Sequence, residues 1–379
     1  MRDAIVFSGW TWSAFNTPER LALAFAASGS KVLYCENPVS RLKSRGRPVE
    51  EVSAGVFAFG PVFFGHRLNR LPVLGSMQCN VLANQVLDQA KLLGLRDPLF
   101  VYPHLEHLTP LCREMKRRGQ TLVHLCIDYP EPYQWEQIEI SDCTLVVGPN
   151  VYTELRARYA EKVHLIRQPH KNDLTKDGGQ RPKEPDYLAS MPHPRLAYLG
   201  PAHQRLNLRV LGELLQARPE WQFVTFGGDR CLPLPNVHCF PWCSWQNIPS
   251  IVDAMDIGLM PYDLNNYNLH CVPLKMFDYF AAGIPVVSTP IFYMRDAEDL
   301  VYVGETAEEL DRAVQMALSE PIDSVKRQKR RHMASEHSIE AVSRELSEIL
   351  RMYDGVDARE GGFSRNVDSS TARVAEVRK

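Results

Sequence analysis

Two opposite charges stand three residues apart in PLKMFDYFAAGIPVVST, residues 273–289. Lys275 can neutralise phosphate, and Asp278 can accept two hydrogen bonds from vicinal hydroxyls such as those of ribose. A helix is predicted to begin with Pro273 at its first position and to end at Gly283, so its open start would attract phosphate. The alternative is an exposed i,i+3 ion pair worth only about 0.2–0.5 kcal/mol. The spacing alone leaves both interpretations open.

A catalytic base is predicted where a strand-like run ends in the first half of the chain. Asp128 in LVHLCIDYPEPY precedes a Pro-rich loop that would expose its carboxylate. Asp128 could deprotonate a hydroxyl as a general base, or it could only orient a substrate. A strand-end turn cap is the structural alternative. His104 and Glu106 in VYPHLEH are second candidates at another strand end.

Common cofactor and metal motifs are missing from the sequence. No GxGxxG segment occurs, which argues against an ordinary nicotinamide dehydrogenase, and neither HExxH nor DxD occurs, so no obligatory metal is predicted. The segment CLPLPNVHCFPWC, residues 231–243, holds three cysteines and a histidine whose spacing fits no familiar zinc module. The nine cysteines are odd in number and scattered, which favours reduced thiols in a cytosol.

The composition is that of a globular chain with two domains, since 379 residues are 45% hydrophobic and 23% charged. No segment reaches the ~18 apolar residues of a membrane span, so a cytoplasmic location is predicted. Residues 1–185 hold 23 Lys and Arg against 19 Asp and Glu. This basic half could meet phosphate or a lipid head group at the inner face of the membrane, whereas a solvated surface without a partner is the alternative. No nucleic-acid partner is predicted.

Strand-like and helix-like segments alternate along the chain. DAIVFSG reads as a strand, TPERLALAFAASG as a helix with Thr17 as N-cap and Pro18 at the first position, and KVLYCEN as the next strand. Such βαβ units predict parallel sheets covered by helices. The polar, Pro- and Gly-rich residues 171–195 predict a linker between two such series, and two α/β domains in tandem would form a cleft between the carboxyl ends of their sheets. The predicted parts are a first Rossmann-like domain (1–185), a second (186–338), a helix packing back on the first domain (339–354) and a disordered tail (355–379).

Several segments resemble glycosyltransferases of the GT-B class that use nucleotide sugars. PLKMFDYFAAGIPVVST is similar to their donor-site signature P-x-K-x-x-E-Y-x-A-x-G-x-P-V-V. LPNVHCFPWCSWQNIPSIVDAMDIGLMPY looks like their base-binding loop, helix and strand, and GWTWSAFNTPERLALAFAASGSKVLYCENP resembles the start of acceptor domains in bacterial surface-polysaccharide transferases. The resemblance covers most of residues 1–350. It implies the GT-B fold, in which two Rossmann-like doubly wound domains face each other across a cleft.

The resemblance also implies roles for particular residues. Lys275 would contact the donor phosphates, Asp278 the ribose, and the loop NYNLHCV, residues 266–272, the sugar and diphosphate. The implied donor-binding residues are Lys275, Asp278, Arg205, His270, Asn268, Leu269, Phe240, Trp242 and Gly200. Phe240 and Trp242 would lie beside the base, although packing aromatics would look the same. The loop after the first strand could close over the acceptor, with Gly9, Trp10, Trp12, Asn16 and His104 as its predicted contacts.

Taken together, these features predict transfer of a sugar from a UDP- or GDP-type donor to a hydroxyl of a glycan, a lipid-linked acceptor or a small molecule, without a cofactor. If Asp128 deprotonates the acceptor hydroxyl, the reaction is a single displacement with inversion; if it only orients a substrate, a retaining route stays open. Two departures from the signature qualify this prediction. Asp278 stands where relatives often carry glutamate, and His270 stands eight residues earlier, where many have another glutamate. A nucleotide-sugar-binding scaffold that has lost catalysis and a sugar-nucleotide epimerase of the same architecture are therefore kept as alternatives.

Overall fold

Two β-sheets organise the chain. The computed structural model describes residues 1–12, 16–64, 72–127, 132–170, 183–201, 205–228, 232–297 and 299–353. The first sheet has the strand order β10-β9-β8-β7-β1-β2-β5-β4, and its neighbours run parallel except β4 and β5. Two short strands, β3 and β6, pair beside it. The strands of this half are β1 (Ala4–Phe7), β2 (Val32–Cys35), β3 (Val39–Ser40), β4 (Arg47–Ser53), β5 (Val56–Gly60), β6 (Val62–Phe63), β7 (Leu99–Pro103), β8 (Leu122–Cys126), β9 (Cys143–Val146) and β10 (Val163–Leu165).

The second sheet is parallel throughout and has the order β13-β12-β11-β14-β15-β16. The strands before and after β11 in this order are added on opposite sides of it, so the topological switch point lies between β11 and β14. Doubly wound sheets open a ligand crevice at such a point, outside the carboxyl ends of their strands. The strands are β11 (Arg195–Leu199), β12 (Gln222–Phe226), β13 (Val237–Phe240), β14 (Ile257–Met260), β15 (Val286–Ser288) and β16 (Val301–Val303).

Helices connect the parallel strands and cover both sheets, as parallel pairing requires. Those of the first half are α1 (Thr17–Ala27), α2 (Pro72–Leu92), α3 (Thr109–Arg117), α4 (Pro132–Ile140) and α5 (Pro149–Tyr159). Those that follow are α6 (Leu208–Ala217), α7 (Ile248–Asp253), α8 (Asn266–Leu269), α9 (Leu274–Ala282), α10 (Phe292–Asp296), α11 (Ala307–Leu318), α12 (Val325–Glu336) and α13 (Ile339–Arg351).

The predicted starts of two helices are each wrong by one residue. Asn16, not Thr17, is the N-cap of α1, because its side chain accepts a hydrogen bond from the Glu19 amide at 3.0 Å. Pro273 is the N-cap of α9 and not its first helical residue. The predicted C-cap is confirmed, since Gly283 has a left-handed backbone with φ of 76°.

Alternating side chains of the central strand β1 build two cores. Ala4 and Val6 face a cluster that includes residues of α1 and α13, whereas Ile5 and Phe7 face one that includes residues of α2 and α3. This two-residue period places apolar side chains on both faces, which explains why the strand reads as a continuous hydrophobic run.

The chain returns to the first domain after the second sheet is complete. Residues of α13, among them Val342 and Leu346, lie in the same core as Leu21 of α1. The Tyr353 hydroxyl lies 2.7 Å from His164 Nε2 in the first domain. Residues 171–182 of the predicted linker and the whole predicted tail lie outside the described residues.

Among the described cysteines, Cys239 departs from the predicted reduced state, because it is disulfide-bonded. Free cysteines among the described residues are Cys35, Cys79, Cys112, Cys126, Cys143, Cys243 and Cys271. Within the described ranges, no three His, Cys, Asp or Glu side chains are placed to hold a metal ion, and no helix is long and apolar enough to cross a membrane.

A buried ion pair fixes α12 to the second domain. The Arg330 guanidinium is fully buried and donates to both carboxylate oxygens of Glu320 at 2.7 Å and to the Leu300 carbonyl at 2.7 Å. Ser324 and Tyr302 hydroxyls donate to the same carboxylate. Every charge in this cluster has a hydrogen-bonded partner, which is the condition under which a buried pair is tolerated.

We predict that Arg330→Ala lowers the free energy of unfolding by about 3–5 kcal/mol, because it leaves the Glu320 carboxylate buried without its counter-charge. Lys329→Ala, one residue away on the exposed side of α12, should change it by less than about 0.5 kcal/mol. Chemical denaturation measures both, and equal effects would contradict the assignment.

Candidate functional site

Two glycines form the floor of the cleft on the side of the second domain. Gly200 follows β11 with φ of +145°, and Gly227 follows β12 with φ of +125°. A Cβ on Gly227 would lie 3.0 Å from the Pro201 nitrogen and 3.0 Å from Cζ2 of Trp242. Both positions need glycine for their backbone conformation, and Gly227 needs it for space as well; without a Cβ, the backbone at both can be approached closely by a ligand.

Lys275, in the first turn of α9, lies against this floor. Its Nζ is 4.8 Å from the ring centroid of Tyr198 and 5.9 Å from that of Tyr262. A Cβ on Gly200 would lie 3.6 Å from the Lys275 Cε. Burial, and next the charge of Arg205, lower the pKa of Lys275 to about 8. The ammonium is thus held by aromatic faces, and it forms no ion pair with a described carboxylate.

Arg205 brings a second positive charge to the same place. Its guanidinium lies 4.5 Å from the ring centroid of Tyr267 and donates to that residue's hydroxyl. Because Arg205 lowers the pKa of Lys275, the two cations repel each other in the absence of an anion. A doubly charged ligand such as a diphosphate would relieve this repulsion. No described side chain caps the start of α9 beside them, which adds the positive end of a helix to the same site.

The Asp278 carboxylate faces the first domain and does not pair with Lys275. Only 3% of Asp278 is exposed. Its Oδ2 lies 4.0 Å from Nη2 of Arg20 on α1, and its Oδ1 lies 3.5 Å from Nδ1 of His170. Burial lowers the pKa of Arg20, and the charge of Asp278 is the largest influence that raises it. The i,i+3 surface pair is therefore not formed, and Asp278 instead joins the two domains.

Further polar contacts surround this junction. The Gln168 side chain donates to Thr17 Oγ1 at 2.8 Å, and the backbone carbonyl of Gln168 lies 3.1 Å from Nδ1 of His337. The His337 ring stacks on Phe277 with centroids 3.9 Å apart, and burial lowers the pKa of His337 to about 4. With this lowered pKa His337 is neutral at pH 7, so its ring adds no positive charge to the junction.

The loop before α9 is held by its own side chains. Asn268 is 1% exposed and donates to the Arg205 carbonyl at 3.1 Å and to the Asp263 carbonyl at 2.8 Å. Its carboxamide therefore shapes the loop and positions Arg205, whereas Leu269 is partly exposed. The His270 ring packs edge-on against Phe292 at 4.9 Å, and a Cβ on Gly148 would lie 3.4 Å from the His270 carbonyl. His270 thus lies where the domains meet.

The two predicted base-binding aromatics have different surroundings. Phe240 stacks on Phe226 with centroids 5.4 Å apart and contacts Tyr187 at 4.9 Å. Its surroundings are those of a packing residue. Trp242 is 70% exposed and lies over Gly227, which leaves its ring face available to a base.

The first domain contributes a glycine turn and two tryptophans. Gly9 has φ of +75°, and a Cβ there would lie 2.3 Å from Cδ1 of Leu105. Ser8 Oγ donates to the Trp10 carbonyl at 2.7 Å, so the turn presents Trp10 with 41% of its surface exposed. The Trp12 amide donates to Glu36 Oε1 at 2.9 Å.

The other residues predicted to act from the first domain do not form one cluster among the described residues. Asn16 caps α1, so its side-chain oxygen is used within the protein. His104 is half-buried directly after β7. Asp128, the predicted base, lies outside the described residues, and nothing is described of the Glu106 side chain.

Sequence reasoning missed several residues that shape this site: Arg20, His170, His337, Tyr198, Tyr262 and Tyr267. A signal for Arg20 existed, since it is a cation inside the apolar run of α1. Tyr198 and Tyr262 lie at the carboxyl ends of neighbouring strands, which is also visible in the sequence. The two histidines lie in segments without a periodic pattern, so only the fold brings His170 to Asp278 and His337 to Phe277.

Comparison of the sequence with known proteins gives a partial match. No protein-family model matches the chain. A protein of Bacillus subtilis (strain 168) named "Putative teichuronic acid biosynthesis glycosyltransferase TuaH" is 30% identical over 138 residues, which is 34% of this chain and 34% of that protein. The match therefore spans about a third of this relative's length.

Solved structures match nearly the whole chain at low identity. A UDP-forming α,α-trehalose-phosphate synthase from Burkholderia xenovorans, in complex with glucose-6-phosphate, has a TM-score of 0.66 at 11% identity and covers 92% of this chain and 100% of that one. A trehalose-6-phosphate structure from E. coli, bound with UDP-2-fluoro glucose, has a TM-score of 0.64 at 13% identity, with 92% and 99% covered. These matches show the fold, and the predicted pair of Rossmann-like domains is confirmed.

We predict that Arg20 and Asp278 are energetically coupled across the domain junction. In a double-mutant cycle of Arg20→Met and Asp278→Asn, each single change should cost about 2–4 kcal/mol because it strands a buried charge, and the coupling should exceed about 1 kcal/mol. The exposed pair Arg209–Glu213, at 2.8 Å, is the control and should couple by less than about 0.5 kcal/mol. Additive effects of the two junction changes would contradict the contact.

Proposed function

We propose that this chain, which has the GT-B fold, is a glycosyltransferase that moves a sugar from a nucleotide diphosphate sugar to a hydroxyl acceptor in glycoconjugate or polysaccharide synthesis. The observation that carries the proposal is the pair of cations, Lys275 and Arg205, beside the glycine floor at Gly200. The name of the Bacillus relative and the UDP compounds in the titles of the structural matches support the same class of donor.

On this proposal the diphosphate lies between Lys275, Arg205 and the start of α9. When the bond between the sugar and the diphosphate breaks, negative charge grows on the leaving phosphate oxygen. Lys275 and the helix end would stabilise that charge at the moment it develops. Asp278 is the proposed ribose ligand, and its contact with Arg20 would orient the carboxylate and couple donor binding to the position of the first domain.

The acceptor hydroxyl would attack the anomeric carbon from the side of the first domain. Asp128 would take the proton of that hydroxyl, which gives inversion at the anomeric carbon. Trp10, exposed on the turn after β1, would contact the acceptor. Trp242 would lie against the base of a UDP- or GDP-type donor.

Nucleotide affinity should fall as the pH rises through about 8. Since the pKa of free Lys275 is lowered to about 8 by burial and by Arg205, its positive charge is present below that pH and lost above it. We expect UDP or GDP to bind roughly tenfold more weakly at pH 9.5 than at pH 7, which is the scale of one charge-assisted contact.

Lys275→Arg is the matched variant, because a guanidinium stays charged throughout this pH range. Its affinity should change little with pH, whereas Lys275→Met should bind weakly at every pH. Isothermal titration calorimetry measures all three. A wild-type affinity that is constant up to pH 9.5 would show that Lys275 does not contact the phosphates.

Sugar transfer should depend on Asp128, whereas nucleotide binding should not. Asp128→Asn is expected to lower the transfer rate by about 10²–10⁴-fold, the usual contribution of a general base, and to leave the Kd for UDP or GDP within about twofold. A panel of UDP- and GDP-sugars with mass-spectrometric detection of product measures the rate. Nucleotide binding without turnover of any donor would favour the scaffold alternative, and interconversion of sugar nucleotides without transfer would favour an epimerase.

A further inference from the structure

One buried carboxylate is bonded to the loop that carries Trp10. Glu36 directly follows β2, and its side chain is 9% exposed. Its Oε1 accepts a hydrogen bond from the Trp12 amide at 2.9 Å and another from Nη1 of Arg47 at 2.6 Å. The Glu36 amide donates to the Phe59 carbonyl of β5 at 2.8 Å, which fixes the backbone from which the carboxylate extends. Glu36 therefore joins the loop after β1 to β4 and β5.

The loop after β1 has a second anchor at its start. The Ser8 amide donates to the Cys35 carbonyl at 2.9 Å, and the Ser8 hydroxyl accepts a hydrogen bond from the Trp10 amide at 3.0 Å. The Trp12 ring meets the buried Tyr34 ring edge-on, with centroids 5.0 Å apart. Residues 8 and 12 are therefore both fixed, and the exposed Trp10 lies between them.

Arg47 reaches Glu36 because β4 runs antiparallel to β5. An antiparallel strand begins at the edge where its partner ends, so Arg47, the first residue of β4, pairs with Gly60, the last residue of β5. A Cβ on Gly60 would lie 2.7 Å from the Arg47 nitrogen and 2.8 Å from the Arg47 Cβ. Glycine at position 60 thus lets Arg47 approach the carboxyl edge of the first sheet, where Glu36 also lies.

Arg47 contacts a second acid on its solvent side. Its Nη2 donates to Glu50 Oε2 at 3.0 Å, and the Glu50 side chain is 65% exposed, against 9% for Glu36. Charge-assisted hydrogen bonds are screened less by salt and water where the carboxylate is buried. The contact of Arg47 with Glu36 is therefore the stronger constraint, and Glu50 is a matched acid that shares the same arginine.

We propose that Glu36, held in place by Arg47, is a positioning residue that fixes the loop after β1 so that Trp10 is presented at the carboxyl edge of the first sheet. The consequence for the reaction rests on the proposed function. An acceptor that meets a fixed Trp10 does not have to order the loop when it binds. Loss of Glu36 should therefore weaken acceptor binding and leave donor binding as it is, since Lys275 and Arg205 belong to the second domain.

Hydrogen exchange of the Trp12 amide tests the hold on the loop, because it needs neither donor nor acceptor. Glu36→Ala removes the oxygen to which this amide donates, so exchange should become roughly tenfold faster, the scale of one lost hydrogen bond. Arg47→Met should also accelerate exchange, and Arg47→Lys should restore most of the protection because lysine keeps the positive charge. Mass spectrometry of the peptide that contains residues 8–12 measures the rates, and circular dichroism shows that each variant is folded.

Glu50→Gln is the matched control, because it removes the exposed partner of Arg47 and leaves Glu36 in place. Its Trp12 exchange should stay within about twofold of the wild-type rate, as for an ordinary surface substitution. Unchanged exchange in Glu36→Ala, or equal acceleration in Glu50→Gln, would overturn the proposal.

Steady-state transfer kinetics test the consequence for the acceptor. In Glu36→Ala the KM for the acceptor should rise by about fivefold with a smaller change in kcat, and the Kd for UDP or GDP should stay within about twofold. A lower kcat with an unchanged acceptor KM would indicate a merely structural role and overturn the positioning role. Faster exchange in Glu36→Ala, with no turnover of any donor by the wild type, would leave the hold on the loop standing and remove the transferase function. Wild-type turnover, with exchange and acceptor KM both unchanged in Glu36→Ala, would do the reverse.

Discussion

Burial of opposite charges where the two domains meet is the constraint on which the site depends. Arg20 from α1 and Asp278 from α9 are both almost fully buried, and His170 lies beside the same carboxylate. A buried charge is tolerated only with its partner in place, so the first domain cannot move far from α9 without exposing or stranding one of them. The junction thereby fixes how the carboxyl ends of the two sheets face each other. It also connects α9, on the proposed donor side of the cleft, to α1, which follows the proposed acceptor loop after β1.

The proposed donor side of the cleft has the features of an anion-binding site. Glycine at the ends of β11 and β12 removes the side chains that would fill the space, and Tyr198 and Tyr262 hold the Lys275 ammonium over that space without neutralising it. Arg205, positioned through its carbonyl by Asn268, adds a second cation nearby. Two neighbouring cations repel each other, and a diphosphate bound between them would replace that repulsion with attraction to both.

Much of this arrangement could be predicted from the sequence, and the parts that could not have physical reasons. The alternation of apolar runs with amphipathic helices predicted two parallel sheets, and the left-handed Gly283 ended α9 where expected. Lys275 lies in the first turn of a helix, as the sequence predicted, and its contact with donor phosphates stays a prediction. The orientation of Asp278 toward Arg20 was not predicted, because it depends on a contact between residues more than 250 positions apart. The β3–β6 sheet and α2 were also missed, since two-residue strands and a helix that exposes apolar side chains lack the usual patterns.

A crystal structure of the chain with UDP or GDP tests the central claim most directly. The account predicts a phosphate oxygen within about 2.7–3.2 Å of Lys275 Nζ, with the diphosphate at the start of α9 and beside Gly200. A nucleotide bound elsewhere, or one whose phosphates lie away from both Lys275 and Arg205, would contradict the account.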